Sequence, residues 1–291
     1  MIINDFSFNE EDIIGTGGFS IVYKGINVKN NNLVAIKVDK KKKYNKKESL
    51  IYDLLENEKN IAKKINYFED EDSSFLIMPL YYTSCEKIFK KNKNSFNEKD
   101  ILMIGIQILQ QLNYLHKNYL IHQDVKPDNF IFDKDNNKFK LIDFGLCKKY
   151  MRDEKHIKFE KNKSRCGTIR FMSINCHSKF LLSRRDDLIS LSYSLIYLNL
   201  KMLPWKNIKL EKDKSDAIHK KVKNLKKEFG NSLREFHLLS PLYLLYKYST
   251  NLKFNSNPDY SFLIKGFYNY LKMNGMRYDG NWNWLILEDQ L

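Results

Sequence analysis

Along the first third of the chain, apolar positions come in short runs broken by glycine and asparagine. DIIGTGG (12–18), FSIVYKGI (19–26) and LVAIKVD (33–39) are rich in β-branched residues, and their length and punctuation predict strands. INYFED (65–70) and SSFLIMPL (73–80) repeat the pattern and predict two more, ending at Pro79. Between them, at 45–56, the period changes: Leu50, Ile51, Leu54 and Leu55 recur at helical spacing, which predicts a helix with these four on one face. Further on, helical periods dominate. FNEKDILMIGIQILQQLNYLHKN (96–118) predicts a long apolar helix, followed by short strands around NFIFD (129–133) and KFKLIDF (138–144). DDLISLSYSLIYLNL (186–200), KSDAIHKKVKNLKKEF (214–229) and DYSFLIKGFYNYLKMNG (259–275) predict further helices. A strand-rich front and a helix-rich rear, changing over near 79–85, imply two lobes sharing a cleft.

Composition agrees with this pattern. The chain has 291 residues, 43% of them hydrophobic, enough for one large domain or two lobes with a substantial core. Its formal charge of +15 favours acidic or phosphorylated partners, nucleic acid or an anionic surface. Much of the excess sits in Lys/Asn-rich stretches such as KKKKYNKK (40–47) and KKNKN (90–94), which read as solvated loops and compositional bias, with a docking role as the other reading. LISLSYSLIYLNL (188–200) falls short of the roughly 20 residues of a membrane span and reads as a buried helix. The N-terminus lacks the basic start and cleavage site of a signal peptide. Cys85, Cys147, Cys166 and Cys176 form no CxxC pair, so reduced thiols and an intracellular setting, cytoplasm or nucleus, are expected. Cys176–His177 alone is no metal signature.

The candidate chemistry lies in the polar residues. GTGGFSIVYKG (15–25) puts glycines in a turn between two strands, where backbone N–H groups can approach a phosphate; a plain hairpin is the other reading. Lys37 stands on an otherwise apolar strand and, if inward, needs an anionic partner such as Glu48 or a nucleotide phosphate; an edge-strand surface lysine is the alternative. HQDVKPDNF (122–130) is a polar loop between a helix and a strand. Asp124 there can accept or orient a hydroxyl proton, Lys126 can neutralise a phosphoryl group, and Asn129 can ligate a metal. Asp143-Phe144-Gly145 puts a carboxylate at a strand end, the kind of oxygen ligand Mg²⁺ takes.

In this order, the glycine loop, strand lysine, helix glutamate, Asp/Lys/Asn loop and DFG make up the protein-kinase template. The chain resembles a eukaryotic-type serine/threonine protein kinase, and most closely the casein kinase 1 family. That branch is indicated by ESLIYDLL (48–55), by CGTIRFMSINCH (166–177) with Ser-Ile-Asn where most kinases carry Ala-Pro-Glu, by SRRDDLISL (183–191) with LPW (203–205), and by NPDYSFL (257–263) through FYNYLKMNGMRYDGNWNW (267–284). The resemblance runs from about Asp5 to Trp284. It implies an α+β, bilobal kinase fold in a single catalytic domain (1–291), with an N-lobe to about 79 and hinge and C-lobe beyond.

The same resemblance implies ATP and Mg²⁺ as cofactors. Ile14, Gly15, Thr16, Gly17, Gly18, Phe19 and Ser20 would cover the nucleotide, Val22 and Ala35 the adenine, with Met78 as gatekeeper and Leu80 in the hinge. Lys37 would hold the phosphates and pair with Glu48. Asp124 would orient the Ser/Thr hydroxyl, Lys126 contact the γ-phosphate, and Asn129 and Asp143 bind Mg²⁺. Asp187 would brace the catalytic loop, Thr168 would bond near Asp124, and Arg170 would receive an acidic or phosphorylated substrate group. A monomer acting on acidic or phosphorylated proteins is expected, with no specific nucleic acid.

The chain departs from the family at Ser20 (usually Gly), at Pro79 (usually Glu), after Trp205, and at Gln123, where an Arg usually meets a phosphorylated activation loop. Gln123 implies activity without that phosphorylation, and the end at Leu291 leaves little room for an inhibitory tail. Two other classes stand beside the enzyme: a pseudokinase scaffold binding nucleotide or phosphopeptide, disfavoured by the complete catalytic set, and a basic nucleic-acid binder, for which no aromatic stacking motif is present.

Overall fold

The computed structural model describes residues 1–18, 20–91, 95–205 and 216–289. The small lobe is a six-stranded sheet ordered β1 (Ile2–Ile3), β2 (Phe6–Thr16), β3 (Ile21–Asn27), β4 (Leu33–Asp39), β6 (Ser74–Pro79) and β5 (Asn66–Glu69), with helix α1 (Lys43–Leu54) beside it. β2 begins six residues ahead of the strand read from the sequence. Its exposed polar middle, Asn9–Asp12, interrupts the alternation that would have betrayed it.

Antiparallel register decides which side chains face the cleft. Val22 pairs with Lys37, Ala35 with Met78, and Lys37 with Leu76, and paired residues share a face. The alternate residues Val34, Ile36, Phe75 and Ile77 bury against Phe6 and Phe8 on the opposite face. Lys37 is therefore inward because its neighbours must be outward.

Helix α1 corrects one expectation. Ile51 and Leu55 are buried, but Leu50 and Leu54 are 64% and 49% exposed. The face turned inward carries Glu48, Ile51, Tyr52 and Leu55 instead, because a buried carboxylate and a tyrosine complete the stripe that four leucine-type residues were expected to form.

After β7 (Thr83–Ser84) and α2 (Cys85–Lys91) the large lobe is mainly helical: α3 (Glu98–Lys117), α4 (Ile174–His177), α5 (Arg184–Leu200), α6 (Asp216–Asn231), α7 (Ser240–Asn251), α8 (Tyr260–Met273) and α9 (Asn283–Asp289). Strands β8 (Leu120–Ile121), β9 (Phe130–Asp133), β10 (Lys138–Leu141) and β11 (Lys148–Lys149) frame the cleft floor. α3 starts on a capping box, in which Asn97 Oδ1 accepts from the Asp100 N–H and Asp100 returns the bond. α5 is buried continuously from Asp186 to Leu198, which explains its near-unbroken apolar run. Ser192 and Ser194 within it donate to the carbonyls of Ile189 and Ser190, so they are buried without being orphaned. Among the described residues no helix is long and apolar enough to cross a membrane. The apolar pattern of the sequence did not announce α2, α7 or α9. The four cysteines are free thiols.

His177, at the end of α4, and His219, on α6, lie with their Nδ1 atoms 3.0 Å apart. Burial, then the nearby Lys226 charge, holds His177 down at about 2, and burial and Arg165 hold His219 at about 4. Both folded values lie below the unfolded one, so the unfolded chain binds the extra protons and stability is lost as pH falls through the window from about 6.5 to about 4. Urea midpoints taken at about pH 7 and about pH 4.5 should fall less for His177→Gln than for the natural chain.

Candidate active site

The cleft is built first from what anchors α1. Asp39, fully buried at the end of β4, accepts from the backbone N–H groups of Lys41 (2.8 Å) and Tyr44 (2.9 Å) and so sets where the helix begins. Asn45 Nδ2 donates to the carbonyls of Lys37 (2.7 Å) and Ser74 (3.0 Å), clamping the helix to β4 and β6. Three residues later, on the same face, Glu48 meets Lys37: Nζ to Oε2 is 2.7 Å. The same Nζ lies 2.7 Å from Asp143 Oδ1. Neither Asp39 nor Asn45 stood out in the sequence, although an Asp just ahead of a helix is a readable start signal.

The charges in this triad settle one another. Crowding in the cleft alone would raise Asp143, but the Lys37 ammonium holds it at about 2, so it stays an anion. Burial raises Glu48 even against the attraction of Lys37. Lys37 itself stays charged, because the two carboxylates raise its pKa further than burial lowers it. Phe144, directly after Asp143, is fully buried, its ring edge-on to Tyr52 of α1 at 5.0 Å and to His122 at 5.5 Å. Its N–H donates to Glu48 Oε1 at 3.1 Å. The Asp143 side chain is thus turned to the cleft and the phenyl ring beneath the helix.

On the floor, Asp124 and Lys126 meet at 2.6 Å. Lys126 Nζ also donates to Thr168 Oγ1 (2.9 Å), and the Thr168 N–H donates to Asp124 Oδ1 (2.8 Å). Asn129 gives its amide nitrogen to the Asp124 carbonyl (2.9 Å), which orients the side chain and leaves its oxygen for another partner. The loop is held from below by Asp187, whose carboxylate accepts from the N–H groups of His122 (2.6 Å) and Gln123 (2.9 Å) and from His116 Nε2 (2.9 Å). Gln123 (φ 71°) and Asp143 (φ 67°) are both left-handed, a strain that non-glycine residues carry only where their surroundings enforce it. Asp186, one residue earlier, accepts from Ser173 Oγ (2.7 Å) and Asn175 Nδ2 (2.9 Å). The paired aspartates at the start of α5 thereby fasten two loops at once, the one at 122–130 and the Ser-Ile-Asn segment.

A model of the protein kinase domain family matches residues 8–256. The chain belongs to the protein kinase family. Membership supports phosphotransferase activity on protein substrates and implies use of ATP, typically with Mg²⁺. The residues of this kinase suit both. Val22, Ala35 and Met78 line one face of the sheet above the cleft beside Lys37. Asp143 and the oxygen of Asn129 are the hard oxygen donors that Mg²⁺ takes, and a bound Mg²⁺ would neutralise phosphate charge there.

At the glycine loop, Gly17 N–H donates to the Ser20 carbonyl (2.8 Å), closing a tight turn between β2 and β3; Phe19 lies outside the described residues. Ile14, Gly15 and Thr16 form the end of β2, and Gly18 has open space around it. Leu80 sits in the connection, but its N–H donates to the Leu33 carbonyl at 3.3 Å, so only its side chain or carbonyl is left for a nucleotide. Lys87 of α2, which no sequence motif marks, donates to the Ile14 carbonyl at 2.9 Å and ties the cleft roof to the large lobe. Arg170 is not a free cation. Its guanidinium lies 3.6 Å from buried Glu86 and over the Tyr197 ring at 5.5 Å, so part of its charge is already answered. The segment after Trp205, departing from the family pattern, lies outside the described residues up to 215.

Gly167 (φ 85°), which stands within CGTIRFMSINCH but carries no role there, is a further site residue. A Cβ there would come within 2.5 Å of the Gln123 carbonyl and 3.3 Å of Asp124 Oδ1. Only glycine lets the loop carrying Thr168 touch the 122–130 loop this closely. Gly167→Ala should lower kcat by about 100-fold, because displacement of the order of 1 Å costs that much, with ATP affinity retained; steady-state kinetics on the folded variant tests this.

Proposed function

We propose that this kinase is an active serine/threonine kinase of the casein kinase 1 type, a single catalytic domain moving the γ-phosphoryl of ATP to Ser or Thr of acidic or phosphorylated proteins. The observation that carries the reading is the Lys37 bridge, 2.7 Å to both Glu48 and Asp143 with Phe144 packed beneath α1. One ammonium thus ties α1 to the carboxylate that would hold Mg²⁺. In this reading Lys37 holds the phosphates, Asp124 orients the attacking hydroxyl, Lys126 follows the transferring phosphoryl charge, and Asn129 and Asp143 hold Mg²⁺. Catalysis is positioning plus electrostatic stabilisation. The acidic preference is supported by the +15 charge more than by Arg170, whose guanidinium is shared with Glu86.

Purified protein with radiolabelled ATP, Mg²⁺ and casein, beside Asp143→Ala, tests the activity. Transfer no higher than that of the variant would overturn the enzyme reading, and retained ATP binding would then mark a scaffold. A peptide panel with acidic, phosphorylated and neutral residues ahead of the Ser separates the substrate classes.

Control is read from Gln123. Its N–H serves Asp187, and its neutral side chain supplies no charge for a phosphorylated activation loop. Phosphatase-treated enzyme should keep its activity within about two-fold, since no charge-assisted contact is lost; loss of activity on treatment contradicts this.

A further inference from the structure

Lys226 of α6 is fully buried, and among the described residues no carboxylate pairs with it. An ammonium in that position is costly unless every proton is given to an acceptor. Burial pushes its pKa well below that of an ordinary lysine, which is the same cost seen from the other side. If packing were the only demand, methionine would meet it.

The acceptors are specific. Lys226 Nζ donates to the carbonyls of Met172 (2.6 Å) and Ile169 (2.9 Å) and to His177 Nε2 (3.1 Å). With Nε2 accepting, His177 carries its proton on Nδ1 and hands it to His219 Nδ1 at 3.0 Å, a second link back to α6. Trp205 Nε1 donates to the Arg170 carbonyl at 2.8 Å, and Lys226 Nζ stands 5.2 Å from the Trp205 ring and 4.9 Å from Tyr193. Carbonyls 169, 170 and 172 are thus all gripped from the lobe interior. The segment so held runs directly on from Thr168, which bonds both Asp124 and Lys126.

We infer that Lys226 is a positioning residue: it fixes the loop Ile169–Met172 against α6 so that a protein substrate finds a formed docking surface beside Asp124. This rests on the protein-kinase reading for its substrate, although the loop contact itself does not. Lys226 touches no reacting atom. Its loss loosens the loop and weakens protein binding while the nucleotide cleft, built on Lys37 and β4, is untouched.

The test compares Lys226→Met with the natural chain by two readouts. Hydrogen exchange in a peptide spanning 167–173 should quicken by about ten-fold, since the Phe171 and Met172 N–H groups close on the Thr168 carbonyl in this loop, while exchange in β4 is unchanged. KM for casein should rise by about five-fold or more with KM for ATP within about two-fold. A folded Lys226→Met with unaltered loop exchange, or one that raises both KM values equally, overturns the inference. If Lys226→Met does not fold, His177→Leu, which removes one acceptor and no charge, is read in the same way: faster loop exchange sustains the inference and unchanged exchange overturns it. Should the natural chain transfer no phosphate to any protein, the kinase reading fails by itself and loop exchange still decides the role of Lys226.

Discussion

Asp124→Asn is expected to lower kcat by about 10²- to 10⁴-fold, the range for losing a positioned general base, while the protein stays folded and binds ATP as before. The substitution keeps shape. Oδ1 can still accept the Thr168 N–H at 2.8 Å, so the loop contact survives. What is lost is the carboxylate charge, and with it the 2.6 Å ion pair to Lys126, which then swings toward other anions. Steady-state transfer to casein gives kcat, and nucleotide titration gives ATP affinity. A kcat within about ten-fold of the natural chain would remove Asp124 from the chemistry.

The second large effect is expected at Asp187, a residue that touches no substrate. Asp187→Leu should destabilise the kinase by about 3–5 kcal/mol, because a buried charge leaves behind partners that have no other acceptor. The orphans are the N–H groups of His122 and Gln123 and the Nε2 of His116. Gln123 loses the contact that holds its left-handed backbone, so the loop relaxes and Asp124 moves. Denaturant melts measure the stability loss, and transfer should fall by about 100-fold in whatever fraction remains folded. A change below about 1 kcal/mol would mean that the loop is held by something else.

Both expectations concern a site whose polar members are legible in the sequence. Lys37, Glu48, Asp124, Lys126, Asn129 and Asp143 stand in an order that few chemistries demand, and the fold brings them to one cleft. The residues that hold them are less visible. Asp39 and Asn45 act through backbone partners, Gly167 through a close approach to Gln123, and Lys226 through carbonyls distant in sequence. A motif records which side chains react. It does not record which backbone groups need a donor.

Elements divide along the same line. The long period of α3 and the β-branched runs of β3, β4 and β6 announce themselves, because burial on one face repeats along the chain. The N-terminal part of β2 does not, since its exposed middle is polar, and α1 turns Leu50 and Leu54 outward because Glu48 and Tyr52 claim the inner face. By itself, then, the sequence determined the two-lobed class, the order of its main strands and helices, and the identity of the groups in the cleft. Which way Lys37 points, whether Phe144 lies under α1, and how far Arg170 remains free were decided by tertiary structure. Those depend on strand register and on charges brought together across more than a hundred residues, as Lys37 and Asp143 are, and no local pattern encodes that meeting.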